Sequence, residues 1–296
     1  MLVDLSAFID VEKGAGKEVT VSVDREFDLK YTILHGDAEE MLKKVKDNSV
    51  DLVVTSPPYW VMRGEMEYES FEGYMVKMWN IFEQVYRVMK VGRVVAVNMS
   101  DYIEDGERID LNWHWHALLK RVGFKYRDTI IWEKEGELAT IGAGKMASNF
   151  LKFKLPMYYS PDRIMEVIMI FIKGNKVRIP RYNQDITAMS KVDVSKCKDW
   201  LKNVWRFAPR QDKEHKAVFP YELPRRLITL YSYYGETVLD PFLGSGTTMV
   251  VAKELGRSCI GCEINNKYVK LIKRNVRWGE SGLGNVRYKY EVISGE

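Results

Sequence analysis

Cysteine is scarce: the 296 residues hold only Cys197, Cys259 and Cys262. Three thiols cannot build a disulfide framework, so a secreted disulfide scaffold is excluded and a cytoplasmic location is expected. Long apolar runs are missing too. The longest, Val167 to Ile172, falls far short of the about 18 residues that a membrane helix needs, so no membrane partner is expected. The opening MLVDLSAFID has no basic start and carries acids within its apolar part, unlike a signal peptide. Histidine numbers four. His114 and His116 fall on an expected helix, where residues two apart point roughly 200° from each other and cannot grip one ion. No metal is expected. The pair Cys259 and Cys262 falls on an expected strand, where residues three apart face opposite sides, so these read as two buried packing thiols rather than a redox or zinc pair.

What is present is the composition of a folded protein, 46% hydrophobic and 29% charged, with length for one large domain or two small ones. Net charge is only +4, but it is unevenly spread: Lys134 to Lys216 holds 17 basic against 9 acidic residues. Aromatics interleave with them, at Phe150, Phe153, Tyr158, Tyr159, Tyr182, Trp200, Trp205 and Phe207. Phosphates attract such cations and bases stack on such rings. A solvated surface over an ordinary core is the other reading of the same pattern.

Along the chain, strands alternate with helices. Strand patterns run over 18–23, 31–34, 50–55, 93–99, 129–132, 164–172, 237–239 and 258–264, and helical spacing over 38–46, 68–89, 111–121, 221–234, 247–255 and 267–277. Gly136 to Lys145 reads as a glycine-rich loop, and 175–211 shows no regular pattern. Alternation of this kind predicts an α/β fold built on a doubly wound, mostly parallel sheet.

Two loops carry chemistry. Val238-Leu-Asp-Pro-Phe-Leu-Gly-Ser-Gly-Thr-Thr-Met249 is strand, tight turn and helix start. Gly244 and Gly246 let a ligand approach the backbone, and the helix N-terminus from Thr247 offers N–H groups to an anion. Glu263 ends the next strand, where a carboxylate accepts ribose hydroxyls. A nucleoside-bearing ligand follows. A dehydrogenase fingerprint fails, because Met249 stands where its third glycine belongs, and no Gly-Lys-Ser/Thr of a P-loop is present. The second loop, Ser56-Pro57-Pro58-Tyr59, ends a buried strand. Its prolines leave rigid carbonyls as acceptors. Ser56 Oγ and the Pro57 carbonyl suit the two hydrogens of an exocyclic amino group, and Tyr59 offers a flat face to its ring.

With Ser56 to Tyr59 and Phe242-Leu-Gly-Ser-Gly246 in this order, the sequence resembles the beta-class, permuted DNA amino-methyltransferases. These enzymes carry an (Asp/Asn/Ser)-Pro-Pro-aromatic tetrapeptide before a Phe-x-Gly-x-Gly loop and use S-adenosylmethionine. Gly36-Asp37 is similar to their acidic turn near the cofactor adenine, Thr129 to Lys134 to the strand lining the target-base pocket, and His215 to Leu223, with Phe219 and Pro220, to the segment over the cofactor's methionine end. The resemblance implies a Rossmann-like methyltransferase sheet in four parts: an N-terminal arm at 1–30, a catalytic part at 31–134, a basic target-recognition region at 135–212 and a cofactor-binding part at 213–296. It implies S-adenosylmethionine as cofactor, held by Asp37, Phe219, Pro220, Asp240, Phe242, Gly244, Gly246, Thr247 and Glu263. Ser56, Pro57, Pro58 and Tyr59 are the implied catalytic residues, and Tyr59 and Trp132 line the base pocket.

The implied partner is double-stranded DNA, with a separate restriction endonuclease as a further candidate and a monomer or dimer as the working unit. The target base would be flipped out of the duplex, because its amino group is otherwise out of reach. Serine at the first tetrapeptide position goes in this family with cytosine N4. Adenine N6 methylation by the same site is the alternative; an RNA or protein methyltransferase and a non-catalytic DNA-binding relative are more remote.

Overall fold

A computed structural model describes residues 26–60, 68, 70–104, 107–135, 152–158, 164–210, 220–282 and 284–295. In chain order the strands are β1 (Phe27–His35), β2 (Val50–Thr55), β3 (Met89–Met99), β4 (Tyr102–Glu104), β5 (Glu107–Ile109), β6 (Lys125–Lys134), β7 (Met165–Ile172), β8 (Val204–Phe207), β9 (Thr237–Asp240), β10 (Ser258–Glu263) and β11 (Val286–Ser294). β4 and β5 form a small hairpin, and the other nine make one sheet in the order β11-β1-β10-β9-β2-β3-β7-β6-β8. Neighbours are parallel throughout, except that β7 runs antiparallel to both β3 and β6. The expected mostly parallel α/β sheet is therefore present.

Both faces are covered. The helices α1 (Ala38–Met41), α2 (Phe71–Val88) and α3 (Leu111–Val122) lie on one side. On α2, Tyr74, Met78, Ile81, Phe82, Val85 and Val88 are buried, the one-face spacing of an amphipathic helix. Its start is set by Ser70, whose hydroxyl accepts from the Gly73 N–H at 3.0 Å; the sequence pattern alone placed the start at Tyr68. A short helix α4 (Gln184–Met189) follows β7, and α5 (Glu222–Tyr231), α6 (Thr247–Glu254) and α7 (Asn266–Asn275) complete the set. These last three supply Leu223, Leu227, Met249, Val251, Val269 and Ile272 to the opposite core. Strand alternation divides the sheet residues between the two cores. Val53 and Cys262 join the α2 side, while Leu52, Val54 and Cys259 join the α6 side. The two thiols thus diverge as expected, and burial pushes both well above the ordinary thiol range.

The stretch expected to be irregular, 175–211, contains α4 and the edge strand β8. β8 is only four residues long, too short for a two-residue period to stand out. Trp205 and Phe207, read above as candidates for stacking on bases, are core residues of that strand. Several cations of the basic stretch are also committed internally. Lys173 donates to the Met89 carbonyl at 2.7 Å, and Arg206 pairs with Glu133 at 3.0 Å. Phe153 and Tyr158 are exposed and stack on each other at 4.6 Å. The expected strand at 18–23, the loop at 136–145, and Phe150 and Tyr159 lie outside the described residues. No helix among the described residues is long and apolar enough to cross a membrane.

Crossovers fix where a ligand can sit. β2 leads through α2 on one face, whereas β9 leads through α6 on the other. Side by side, the two strands pair Leu52 with Val238 and Val53 with Leu239. Loops leaving their C-terminal ends therefore part around a crevice, the usual ligand position of an open α/β sheet.

Candidate active site

That crevice joins the two loops singled out in the sequence. Thr55, the last residue before the serine–diproline turn, donates its hydroxyl to Asp240 Oδ1 at 2.7 Å. The same oxygen accepts the Phe242 N–H at 3.1 Å, and Asp240 Oδ2 accepts the Thr248 hydroxyl at 2.6 Å. Asp240 is thus turned inward, as a clamp between the turn, the glycine loop and the start of α6, rather than toward an open pocket. Burial raises its carboxyl to about 6 against the pull of these three hydrogen bonds.

The glycine loop is tightly determined. Gly244 and Gly246 adopt φ of +53° and +86°, and a Cβ on Gly246 would lie 3.2 Å from Ile272. Leu243 anchors the loop to β10, donating its N–H to the Cys262 carbonyl at 2.9 Å. Phe242 packs partly buried against the α2-side core. Gly244 donates to Glu263 Oε2 and Asn265 to Glu263 Oε1, each at 2.8 Å. A carboxylate oxygen can accept more than one hydrogen bond. Thr247 opens α6 with its buried hydroxyl 3.2 Å from that of Ser245, and the first turn of a helix presents unpaired N–H groups. Gly36 donates to the Glu263 carbonyl at 3.0 Å, which brings Asp37 beside this loop. Asp37 caps α1 through the Glu39 N–H at 2.9 Å and holds Lys77 at 2.8 Å. Pro220 is buried just before α5. Phe219 lies outside the described residues.

Around the tetrapeptide, the Pro58 carbonyl accepts the Tyr74 hydroxyl at 3.1 Å, and that hydroxyl in turn accepts Trp115 Nε1–H at 3.0 Å. Pro57 is buried, and Ser56 and Pro58 are half-buried. The Ser56 side chain hydrogen-bonds to the Tyr59 hydroxyl, which donates to Glu166 Oε2 at 3.3 Å. Burial first, and the Glu166 carboxylate second, push the Tyr59 phenol well above its usual range, so it stays a donor.

Trp132 is placed otherwise than expected. It is 3% exposed, its ring lies parallel to Phe207 at 5.0 Å, and its Nε1–H donates to the Phe207 carbonyl at 3.0 Å. Both its polar atom and one ring face are used within the core, which leaves it a supporting wall rather than a surface open to a base. Trp132 is expected in the pocket only because Thr129 to Lys134 resembles the family's pocket strand; the pairing of β6 with β8 brings Phe207 over its ring. Sequence reasoning missed three neighbours. Glu166 accepts Asn98 Nδ2–H at 2.5 Å and pairs through Oε1 with Lys134 at 2.7 Å. For Asn98 and Glu166 the available signal was a single amide or acid near the end of an otherwise apolar strand, whereas Lys134 closes the segment Thr129 to Lys134 already singled out.

The pieces lie together: a rigid corner of acceptors, an aromatic ring beside it, and a glycine turn opening a helix on the adjacent strand. The chain matches the N6/N4-type DNA methylase family over residues 50–274. It belongs to that family. Among relatives, the methylase is 29% identical to the Type II methyltransferase M.MjaI of Methanocaldococcus jannaschii, over 86% of this chain and 93% of that one. It is 30% identical to the Type II methyltransferase M.BglII of Bacillus subtilis, over 89% and 69%. Its fold superposes with a TM-score of 0.68 on TTHA0409 from Thermus thermophilus, provisionally assigned as a DNA modification methylase and solved with S-adenosyl-L-methionine. There identity is 26%, with 89% of this chain and 99% of that one covered. The cytosine-N4-specific PvuII DNA methyltransferase shares the fold with a TM-score of 0.67 at 19% identity, covering 88% and 92%.

Proposed function

We propose that this DNA methylase transfers a methyl group from S-adenosylmethionine to the exocyclic N4 amino group of a cytosine flipped out of double-stranded DNA. The single observation that carries this reading is the Asp240 clamp, which ties the Ser56–Tyr59 turn to the glycine loop at the C-terminal ends of neighbouring strands. An amino group at the first loop and a methyl donor at the second are then neighbours.

The pocket chemistry fits such a donor. The turn at Gly244 and Gly246 admits close backbone approach, the N-terminus of α6 suits the carboxylate of the methionine part, and the Glu263 oxygens suit ribose hydroxyls. Asp37 and Pro220 flank this pocket in the proposal. When bound, the cofactor supplies a methyl group on a sulfonium. The chain's residues supply the rest. The Ser56 hydroxyl and the Pro57 carbonyl draw the amino hydrogens out of the base plane, which frees a lone pair otherwise delocalised into the ring. Tyr59 stacks on the base and recovers about 1–3 kcal/mol of the extrusion cost. The amino nitrogen would take the methyl group as its carbon–sulfur bond breaks, the thioether S-adenosylhomocysteine would leave with that electron pair, and the proton would pass afterwards to water, since Ser56 is a weak base. Most of the acceleration comes from alignment.

Residues 135–212 serve as the target-recognition region in this reading, and their β7 segment brings Glu166 to the catalytic corner. Serine at position 56 favours cytosine, and a Type II relative such as M.MjaI makes a separate restriction endonuclease a natural functional partner in the cytoplasm. The test is nucleoside mass spectrometry of unmethylated DNA incubated with the protein and S-adenosylmethionine. N4-methylcytosine is expected; N6-methyladenine alone overturns the base assignment, and label appearing in RNA or protein but not DNA overturns the substrate.

A further inference from the structure

The neighbours that the motifs do not include form a small polar cluster with one unfilled valence. Asn98 follows Val97, which pairs with Thr55, and is itself paired with Ile168 of β7, so it lies at the level of Ser56 on the face of Val54 and Ala96. The residue is 2% exposed. Its Nδ2–H donates to Glu166 Oε2 at 2.5 Å, and its Oδ1 has no hydrogen-bond partner among the described residues. The orientation is dictated by chemistry: the opposite amide rotamer would set oxygen against a carboxylate. An empty buried acceptor is costly, about 1–3 kcal/mol, unless a donor arrives to fill it. Glu166 is itself held from the far side by Lys134.

We propose that Asn98 Oδ1 shares with Ser56, in a bifurcated hydrogen bond, the target amino hydrogen that Pro57 does not take, and that Glu166 is the positioning residue that aims it there. The proposal rests on the amino-methyltransferase reading above. Tyr59 and Asn98 share the same Glu166 oxygen, but at 3.3 Å and 2.5 Å. The tyrosine contact is the weaker one and is released when Tyr59 turns to stack on the base; the asparagine contact stays. In the proposal this opens the way to Oδ1, which is buried. During attack the amino nitrogen becomes cationic, so its hydrogen bond to Asn98 turns charge-assisted and is stronger in the transition state than in the ground state. No covalent step beyond the methyl transfer is needed.

The experiment is single-turnover methylation of unmethylated plasmid DNA with tritiated S-adenosylmethionine, alongside calorimetric binding of S-adenosylmethionine and melting curves. Asn98→Ala is expected to slow the chemical step about 10- to 100-fold, the size of one hydrogen bond to a charged group, with cofactor affinity unchanged. Glu166→Ala is expected to slow it similarly, Glu166→Gln less, because a glutamine oxygen still orients the asparagine. The double variant Asn98→Ala/Glu166→Ala is expected to be little slower than either single one, because one residue acts through the other. If Asn98→Ala does not fold, Asn98→Ser takes its place. A wild-type chemical rate in the Asn98 variant overturns the proposal, and multiplicative losses in the double variant overturn the positioning role. If the unmodified protein transfers no methyl group to DNA, the underlying reading fails, which the wild-type arm reports by itself.

Discussion

Replacing Asp240 by asparagine tests the clamp directly. Burial raises this carboxyl from 3.8 to about 6 in the folded protein. The folded-state value lies above the unfolded one, so the folded protein holds the proton more tightly. The stabilisation from this group is complete below about pH 4, declines as pH rises through about 6, and is absent above that. The swing is about 3 kcal/mol in total. Asp240→Asn keeps the shape and removes the titration. Its oxygen still accepts from Thr55 and from the Phe242 N–H, while its amide must donate to Thr248 Oγ1 and displace that hydroxyl proton, at a constant loss of about 1 kcal/mol. Urea unfolding of both proteins between about pH 4 and pH 8 therefore gives curves that cross. The natural protein is the more stable near pH 4, and the variant is the more stable by about 2 kcal/mol near pH 8. Subtracting one curve from the other cancels every other titrating group. A difference that stays constant with pH, or one that swings the other way, refutes the reasoning that desolvation governs this carboxyl.

Gly246→Ala places a Cβ at φ +86° and 3.2 Å from Ile272; a loss of about 1–2 kcal/mol in stability is expected, with weakened S-adenosylmethionine binding in calorimetry, and an unchanged melting point and affinity would contradict the tight-loop argument. Trp132→Ala is expected to cost about 3–5 kcal/mol in unfolding free energy as a core truncation. Tyr59→Ala, by contrast, is expected to abolish most methyl transfer while leaving the fold intact, and the reverse pattern would restore Trp132 as a base-stacking residue. A thiol reagent is expected to label none of the three cysteines in the native protein and all three in denaturant, because each is buried; native labelling of Cys259 or Cys262 would disprove their placement in opposite cores.

Much of this protein is legible along the chain. The alternation of short apolar strands with amphipathic helices, the divergence of Cys259 and Cys262, and the order of tetrapeptide and glycine loop are local or sequential properties, set by backbone periodicity and by what glycine and proline permit. The tertiary structure alone decided which side chains meet. Trp132 turned from a base platform into core because β8, more than 70 residues later, lays Phe207 on it. Asp240 became a clamp because β2 and β9 lie side by side across 185 residues of chain, joining it to Thr55. Asn98, Lys134 and Glu166 converge because β7 runs antiparallel between β3 and β6. Such pairings depend on sheet register between distant segments, and register is chosen by the burial of all the strands together rather than by any one of them.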